Sequence, residues 1–132
     1  MLRYYKTQYK GSIPAIKNKW FLRIKHGQTI ELEGLAKHMA DHNSPFSEGV
    51  IFGVLKDMTR CIEEILLGGD KVKIGDLAIF SLGISCKGVD DPNNATVQNI
   101  RNFTFNAMGT GATRPRNIVE KAHLRELDEY AV

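Results

Sequence analysis

The chain has 132 residues, of which 42% are hydrophobic and 25% charged, the composition of one folded domain, or of a domain with a short extension, rather than of a disordered segment. No apolar run approaches the roughly 20 residues of a membrane span, the opening Met1-Leu2-Arg3-Tyr4-Tyr5-Lys6 lacks the apolar stretch of a signal peptide, and Cys61 and Cys86 are too few for a disulfide scaffold, so a cytoplasmic protein with free thiols is expected. The net charge of +3 conceals an asymmetry: residues 1–30 hold seven Lys or Arg and no acid, residues 31–80 hold five basic and nine acidic residues, and residues 81–132 balance at six each.

Residues 1–26 read as strands. Lys19 to Lys25 alternates with period two, which places Trp20, Leu22 and Ile24 on one side and Lys19, Phe21, Arg23 and Lys25 on the other. The first side is expected to be core and the second a basic face carrying one aromatic. Residues 3–10 predict an earlier strand, joined through Gly11 to Asn18 with Pro14. A one-signed segment of this kind suits a polyanion, or serves as a solubilising face.

Residues 29–67 read as two helices. Leu32, Leu35, Ala36 and Met39 give the first a stripe at helical spacing. Asn43-Ser44-Pro45 breaks it. Ser47 is the expected N-cap of the second helix, with Ser44 before Pro45 as the rival. Ile51, Val54, Leu55, Met58, Ile62, Ile65 and Leu66 recur at three and four residues, and Gly68-Gly69 supplies the stop. Cys61 falls within the stripe and is expected in the core.

From Val72 the pattern returns to period two. Val72, Ile74, Ala78, Phe80, Leu82, Ile84 and Cys86 share one parity, and Asp76 interrupts it as a turn or bulge would. Gly88 to Ala95, with Asp90-Asp91-Pro92-Asn93-Asn94, makes a turn-rich tip. Val97 to Ala107 reads as the returning strand of a long hairpin. Gly109 to Thr113 is a loop, and a final helix is expected from about Asn117 with a stripe of Ile118, Ala122, Leu124 and Leu127.

Few residues suggest reaction chemistry. His38 and His42 have the helical spacing of a two-histidine metal pair, but no third ligand has recognisable spacing, so no metal site is expected. Glu63-Glu64 reads as a solvated helix face. The Gly109–Thr113 loop lacks the Gly-Lys-Ser/Thr ending of a phosphate-cradling loop. Neither an enzyme nor a cofactor is expected.

The helix, hairpin and turn motifs resemble the HU/IHF family of bacterial histone-like DNA-binding proteins. Ser47 starts the long helix, and Asp70 to Phe80 follows the family's strand and turn without a gap, with Val72, Ile74 and Phe80 in place. Asp76, Leu77 and Ala78 stand where the family's usual Gly, Phe and Gly occur. The chain is still more similar to the divergent HU-like branch abundant in Bacteroidetes, which adds a basic strand region before the first helix. That branch has a Gly-Asp-Leu-Gly-x-Phe turn, a Ser-x-Gly tip and an Asn-Ile-Lys/Arg return. Gly75-Asp76-Leu77-Ala78-Ile79-Phe80, Ser85-Cys86-Lys87-Gly88 and Asn99-Ile100-Arg101 correspond to them. The resemblance spans about residues 4–125.

It implies an α+β fold: an HU/IHF-like intertwined homodimer with two helices, a β-hairpin arm, a C-terminal helix and an added N-terminal strand region. The implied division is residues 1–28 as the basic strand extension and residues 29–132 as the HU-like unit. The implied partner is double-stranded DNA, held in the bacterial nucleoid through phosphate contacts of low sequence specificity and bent by proline wedges at the arm tips. This arm departs from the family. Residues 81–113 contain only Lys87 and Arg101 as basic residues, and Asp90 and Asp91 beside the candidate wedge Pro92 repel phosphate. The tip is therefore expected to pack rather than to intercalate. Lys19, Arg23 and Lys25, Lys71 and Lys73, and Arg114, Arg116 and Asn117 at the start of the last helix are the stronger candidates for DNA contact, with Lys87 and Arg101 beside them. The alternative is a dimeric scaffold that has lost DNA binding and contacts a protein through its N-terminal strands.

Overall fold

The computed structural model describes residues 1–131, with side chains through residue 127. In chain order the elements are β1 (Leu2–Gln8), β2 (Trp20–Ile24), α1 (Leu32–Asp41), α2 (Glu48–Leu67), β3 (Val72–Ile74), β4 (Ala78–Cys86), β5 (Ile100–Gly109), α3 (Pro115–Lys121) and β6 (Leu124–Ala131). They divide into two compact units, Met1–Thr29 with Ile118–Val132, and Ile30–Asn117.

In the second unit, α1 ends where His42 leaves helical geometry and Asn43 turns to a φ of 59°, a left-handed conformation that Asn tolerates better than most residues. Ser47 caps α2: its Oγ accepts from the backbone N–H of Val50 at 3.3 Å, which satisfies one of the donors a helix start leaves open. Gly68 and Gly69 stop the helix, with Gly69 at a φ of 95° that L side chains resist. α1 packs against α2 around buried Ala36, Ile51 and Leu55, with Leu32, Ala40 and Phe52 at the margin.

β3, β4 and β5 form an antiparallel sheet in that order, and α2 packs against β3 and β4. Register places Val72, Ile74, Ala78, Phe80, Leu82 and Ile84 on one face, joined by Phe103 and Phe105 from β5. Phe80 and Phe105 meet with ring centroids 5.6 Å apart. Asp76 sits in the turn between β3 and β4, where Gly75 has a φ of 44°.

The first unit is built on a sheet of order β2-β1-β6. β1 runs antiparallel to β2 and parallel to β6. The expected extension of the final helix through Leu124 and Leu127 is corrected here. α3 stops at Lys121, and Leu124 and Leu127 belong to β6. The local sequence favours helix, but β1 offers an open edge, and pairing begins with the Leu2 N–H donating to the His123 carbonyl at 2.8 Å. A tertiary partner of this kind overrides local propensity.

Two burial expectations are also corrected. Trp20, Leu22 and Ile24 are exposed at 51, 64 and 45%; β2 is an edge strand, and among the described residues of the first unit no second layer packs on that face. Cys61 is exposed, because α1 has 10 residues against 20 in α2 and leaves much of the longer helix bare. Among the described residues, no helix is long and apolar enough to cross a membrane.

Candidate nucleic-acid interface

The hairpin of β4 and β5 forms an arm. It is regular from the Ala78–Gly109 pair to Ser85–Asn102, then slips so that Cys86 faces Ile100 and Arg101 becomes the extra residue. Such a bulge twists the strand and re-aims a side chain. Beyond it, local hydrogen bonds shape the tip. The Asp91 carboxylate accepts from the Asn93 N–H at 2.9 Å, with Pro92 opening a short 3₁₀ turn. Asn99 Oδ1 accepts from the Thr96 N–H at 2.8 Å. Asp91 thus has a capping task that explains an acid at this place. Pro92 is exposed.

The two faces of the arm differ. One carries Leu82, Ile84, Phe103 and Phe105, exposed at 42 to 68%. The other carries Ser81, Gly83 and Ser85 opposite Asn106, Thr104 and Asn102, a ladder of neutral hydrogen-bonding groups. At Gly83 a Cβ would approach Thr104 Oγ1 to 2.7 Å, so a larger residue there would displace that side chain. At the base of the arm the apolar face continues into a groove of about 460 Å³ against α2, lined by Met58, Ile62, Leu66, Phe80, Leu82 and Phe105.

The Gly109–Thr113 loop has a structural task. Thr110 is 5% exposed, and its hydroxyl donates to the Gly75 carbonyl at 3.1 Å. Thr113 Oγ1 accepts from the Thr110 N–H at 3.0 Å and lies within reach of the Asp76, Leu77 and Thr110 carbonyls; its one proton serves one of them at a time. Gly111, at a φ of 52°, lies so close to Asp76 that a Cβ would collide with that side chain. The loop thereby clamps the β3–β4 turn to the end of β5. Asn117 extends the clamp, its Nδ2 donating to the Gly111 carbonyl at 2.6 Å.

The predicted contact residues fall in both units. Lys19, Arg23 and Lys25 belong to the first unit and lie exposed along one face of the β2 edge. Lys71, Lys73, Lys87, Arg101, Arg114, Arg116 and Asn117 belong to the second. Lys73 pairs with Ile79 and shares the neutral face of the sheet. Arg114 and Arg116 are exposed beside the Gly111 clamp, whereas Asn117 is half-buried with its amide engaged.

Sequence reasoning missed Arg3 and Arg125. Register pairs them directly, and the Lys25 N–H donates to the Arg3 carbonyl at 2.8 Å. The alternation Arg3, Tyr5, Thr7, Tyr9 carried the signal for Arg3. Arg125 was hidden by the helical appearance of its segment.

His38 near the end of α1 and His42 just beyond it place their rings 4.6 Å apart. Among the described residues, no group of three or more His, Cys, Asp or Glu is arranged to hold a metal.

No curated protein matches this chain. The fold is similar to a crystal structure of a candidate bacterial DNA-binding protein from Bacteroides vulgatus, with a TM-score of 0.67 and 13% identity. That likeness covers 96% of this chain and 47% of the other, so the chain spans about half the length of that protein. At such identity it speaks for the fold alone. The sequence itself matches the HU-HIG family, HU domains fused to wHTH, Ig or glycine-rich motifs, over residues 1–107. A match from β1 through most of the arm covers well over half of the chain, which therefore belongs to this HU-like family.

Proposed function

We propose that the protein is a non-enzymatic, HU-like homodimer that binds double-stranded DNA through phosphate contacts with low sequence specificity. In that role it bends or condenses DNA in the cytoplasmic nucleoid. The observation that carries this reading is the arm: a hairpin exposed on both faces to its tip, in a chain of an HU family. Beyond its base against α2, a hairpin exposed on both faces is poorly placed to stabilise its own chain. It suits a part that closes on something else.

The exposed groove between α2 and the sheet supports a dimer. The buried apolar core of the single chain comprises Ala36, Ile51, Leu55, Leu66 and Ala78 among the described residues. A second copy seated in the groove would cover Met58, Ile62 and Phe105, adding apolar burial at roughly 25 cal/mol per Å². Lys71, Lys73, Arg114 and Arg116 then supply phosphate contacts from the second unit, and Lys19, Arg23 and Lys25 from the first. Asn117 positions the Gly111 loop between β5 and Arg114.

The test is fluorescence anisotropy with a labelled duplex, intact and nicked, across a salt series. Binding is expected to weaken steeply with salt, with slope about −0.9 per phosphate contacted. Replacing Arg114 and Arg116 by Ala should reduce that slope by about one unit each. Tighter binding to the nicked duplex would support bending. Salt-independent binding would refute the phosphate mechanism.

The acidic tip and the neutral arm face favour a second reading, a dimeric scaffold that contacts a protein instead of DNA. Absence of duplex binding even at low salt would select it.

A further inference from the structure

One face of the β2-β1-β6 sheet interleaves its cations with aromatic rings, which duplex binding does not account for. Register lines up its side chains in rows. Arg3 pairs with Arg125, and Lys25 lies alongside Arg3, so three cations stand abreast across the sheet. The next row holds Arg23 and Tyr5, the next Phe21 and Thr7, and the last Lys19 and Tyr9. Lys25 Nζ lies 5.9 Å from the centroid of the Tyr5 ring, on the same face. Glu126 pairs with Tyr4 and so belongs to the opposite face, where its carboxylate meets Lys6 at 2.9 Å. Asp128 and Glu129 fall in the register shift between the Tyr4–Glu126 and Lys6–Tyr130 pairs. Among the described side chains of the cationic face there is no acid.

Like charges directly opposite one another destabilise a sheet. A row of three is an arrangement that an anion would relieve. The face also holds a cavity of about 300 Å³, lined by Thr7, Tyr9, Lys10, Ile16, Phe21 and Arg23. Its floor is shaped locally. The Tyr9 ring lies back over Gly11, where a Cβ would strike it. The Tyr9 N–H donates to the Lys19 carbonyl, and the Tyr9 carbonyl accepts from the Asn18 N–H, both at 2.9 Å.

Cations interleaved with aromatic rings on an open sheet match the chemistry of unpaired nucleotides. The cations follow the phosphates, and the rings stack on bases. A duplex presents its backbone outward and leaves such rings nothing to stack on. An acidic peptide would use the cations but not the rings. We infer that this face binds single-stranded nucleic acid, with a base against Phe21 in the cavity, Arg23 and Lys10 at its rim, and the Lys25–Arg3–Arg125 row continuing the phosphate track. This site lies within the first unit; it shares Lys19, Arg23 and Lys25 with the duplex reading proposed above and differs from it in giving Phe21 and the tyrosine rings an unpaired base to meet.

The experiment uses the full chain with a labelled oligothymidylate of about twelve nucleotides, within the site sizes of single-strand binders. A 30-base-pair duplex, about the length of a bent site, and polyglutamate serve as comparisons. Phe21→Leu keeps an apolar side chain and removes the π face. It is expected to weaken oligothymidylate binding about tenfold while leaving duplex affinity within about twofold, since no unpaired base is offered. Phe21→Tyr should restore binding. Arg3→Gln with Arg125→Gln should reduce the single-strand salt slope by about 1.4 in total, which tests the cationic row in a chain with Phe21 intact. The inference is overturned if oligothymidylate does not bind at low salt, if Phe21→Leu binds it as well as the parent, or if polyglutamate binds more tightly. Loss of duplex binding with single-strand binding retained would sink the duplex reading and leave this one standing, and the reverse result would do the opposite.

Discussion

The two sheets have three strands each and divide their faces differently. In β3-β4-β5 an apolar face backs onto a neutral one, with Ser81, Ser85, Asn102, Thr104 and Asn106 aligned. In β2-β1-β6 a face with Trp20, Leu22 and Ile24 backs onto one with Arg3, Arg23, Lys25 and Arg125. Charge is thus concentrated on strands from the ends of the chain rather than on the arm. An arm without a cationic ladder gains little from counterion release, the main source of affinity for DNA. Its polar face can offer hydrogen bonds and shape, which position or discriminate rather than attract. On the proposed reading, most of the attraction would come from outside the arm, and the arm would contribute fit.

The largest expected effect tests whether the two apolar faces are equivalent. Ile62→Glu places a carboxylate in the groove between α2 and the arm. If a second copy covers that groove, the cost is several kcal/mol, and analytical ultracentrifugation should report loss of the folded dimer. Leu22→Glu, on the exposed face of β2, should change stability by less than about 0.5 kcal/mol. Equal damage from both would mean that β2 is also covered in the assembly and would erase the contrast.

A smaller effect is expected where the arm is anchored. Gly111→Ala forces an L side chain into the left-handed region, at about 1–2 kcal/mol. The new Cβ also collides with Asp76, so urea denaturation should report a loss above that range. Unchanged stability would show that the Thr110–Thr113 clamp does not hold the base of the arm.

Sequence pattern revealed the elements that satisfy themselves locally. The cap at Ser47, the stop at Gly68-Gly69 and the parity from Val72 to Ile84 all have nearby causes. Residues 124–131 were not legible, because β6 owes its strand geometry to β1, more than 100 residues earlier in the chain. The same distance concealed the Arg3–Arg125 pair. Trp20, Leu22 and Ile24 misled for a related reason: alternation tells which side chains share a face, not whether anything covers it. Lys19, Arg23 and Lys25 could be assigned to one face from parity alone, whereas the clamping task of Asn117 depends on a loop whose fold is set by the β3–β4 turn.

The smallest effect concerns the arm tip. Asp91 caps the turn that begins at Pro92, and Asn is an equally good cap. Asp90→Asn with Asp91→Asn therefore removes the tip's negative charge while preserving the cap. If the tip packs rather than intercalates, duplex affinity should change by less than about 1 kcal/mol, since exposed charges are strongly screened. Anisotropy at low salt measures it, and fluorescence transfer between the duplex ends reports bending. A larger gain in affinity, joined by a new bend that Pro92→Ala abolishes, would place the tip on DNA and return to the arm the role that its composition assigns to the other sheet.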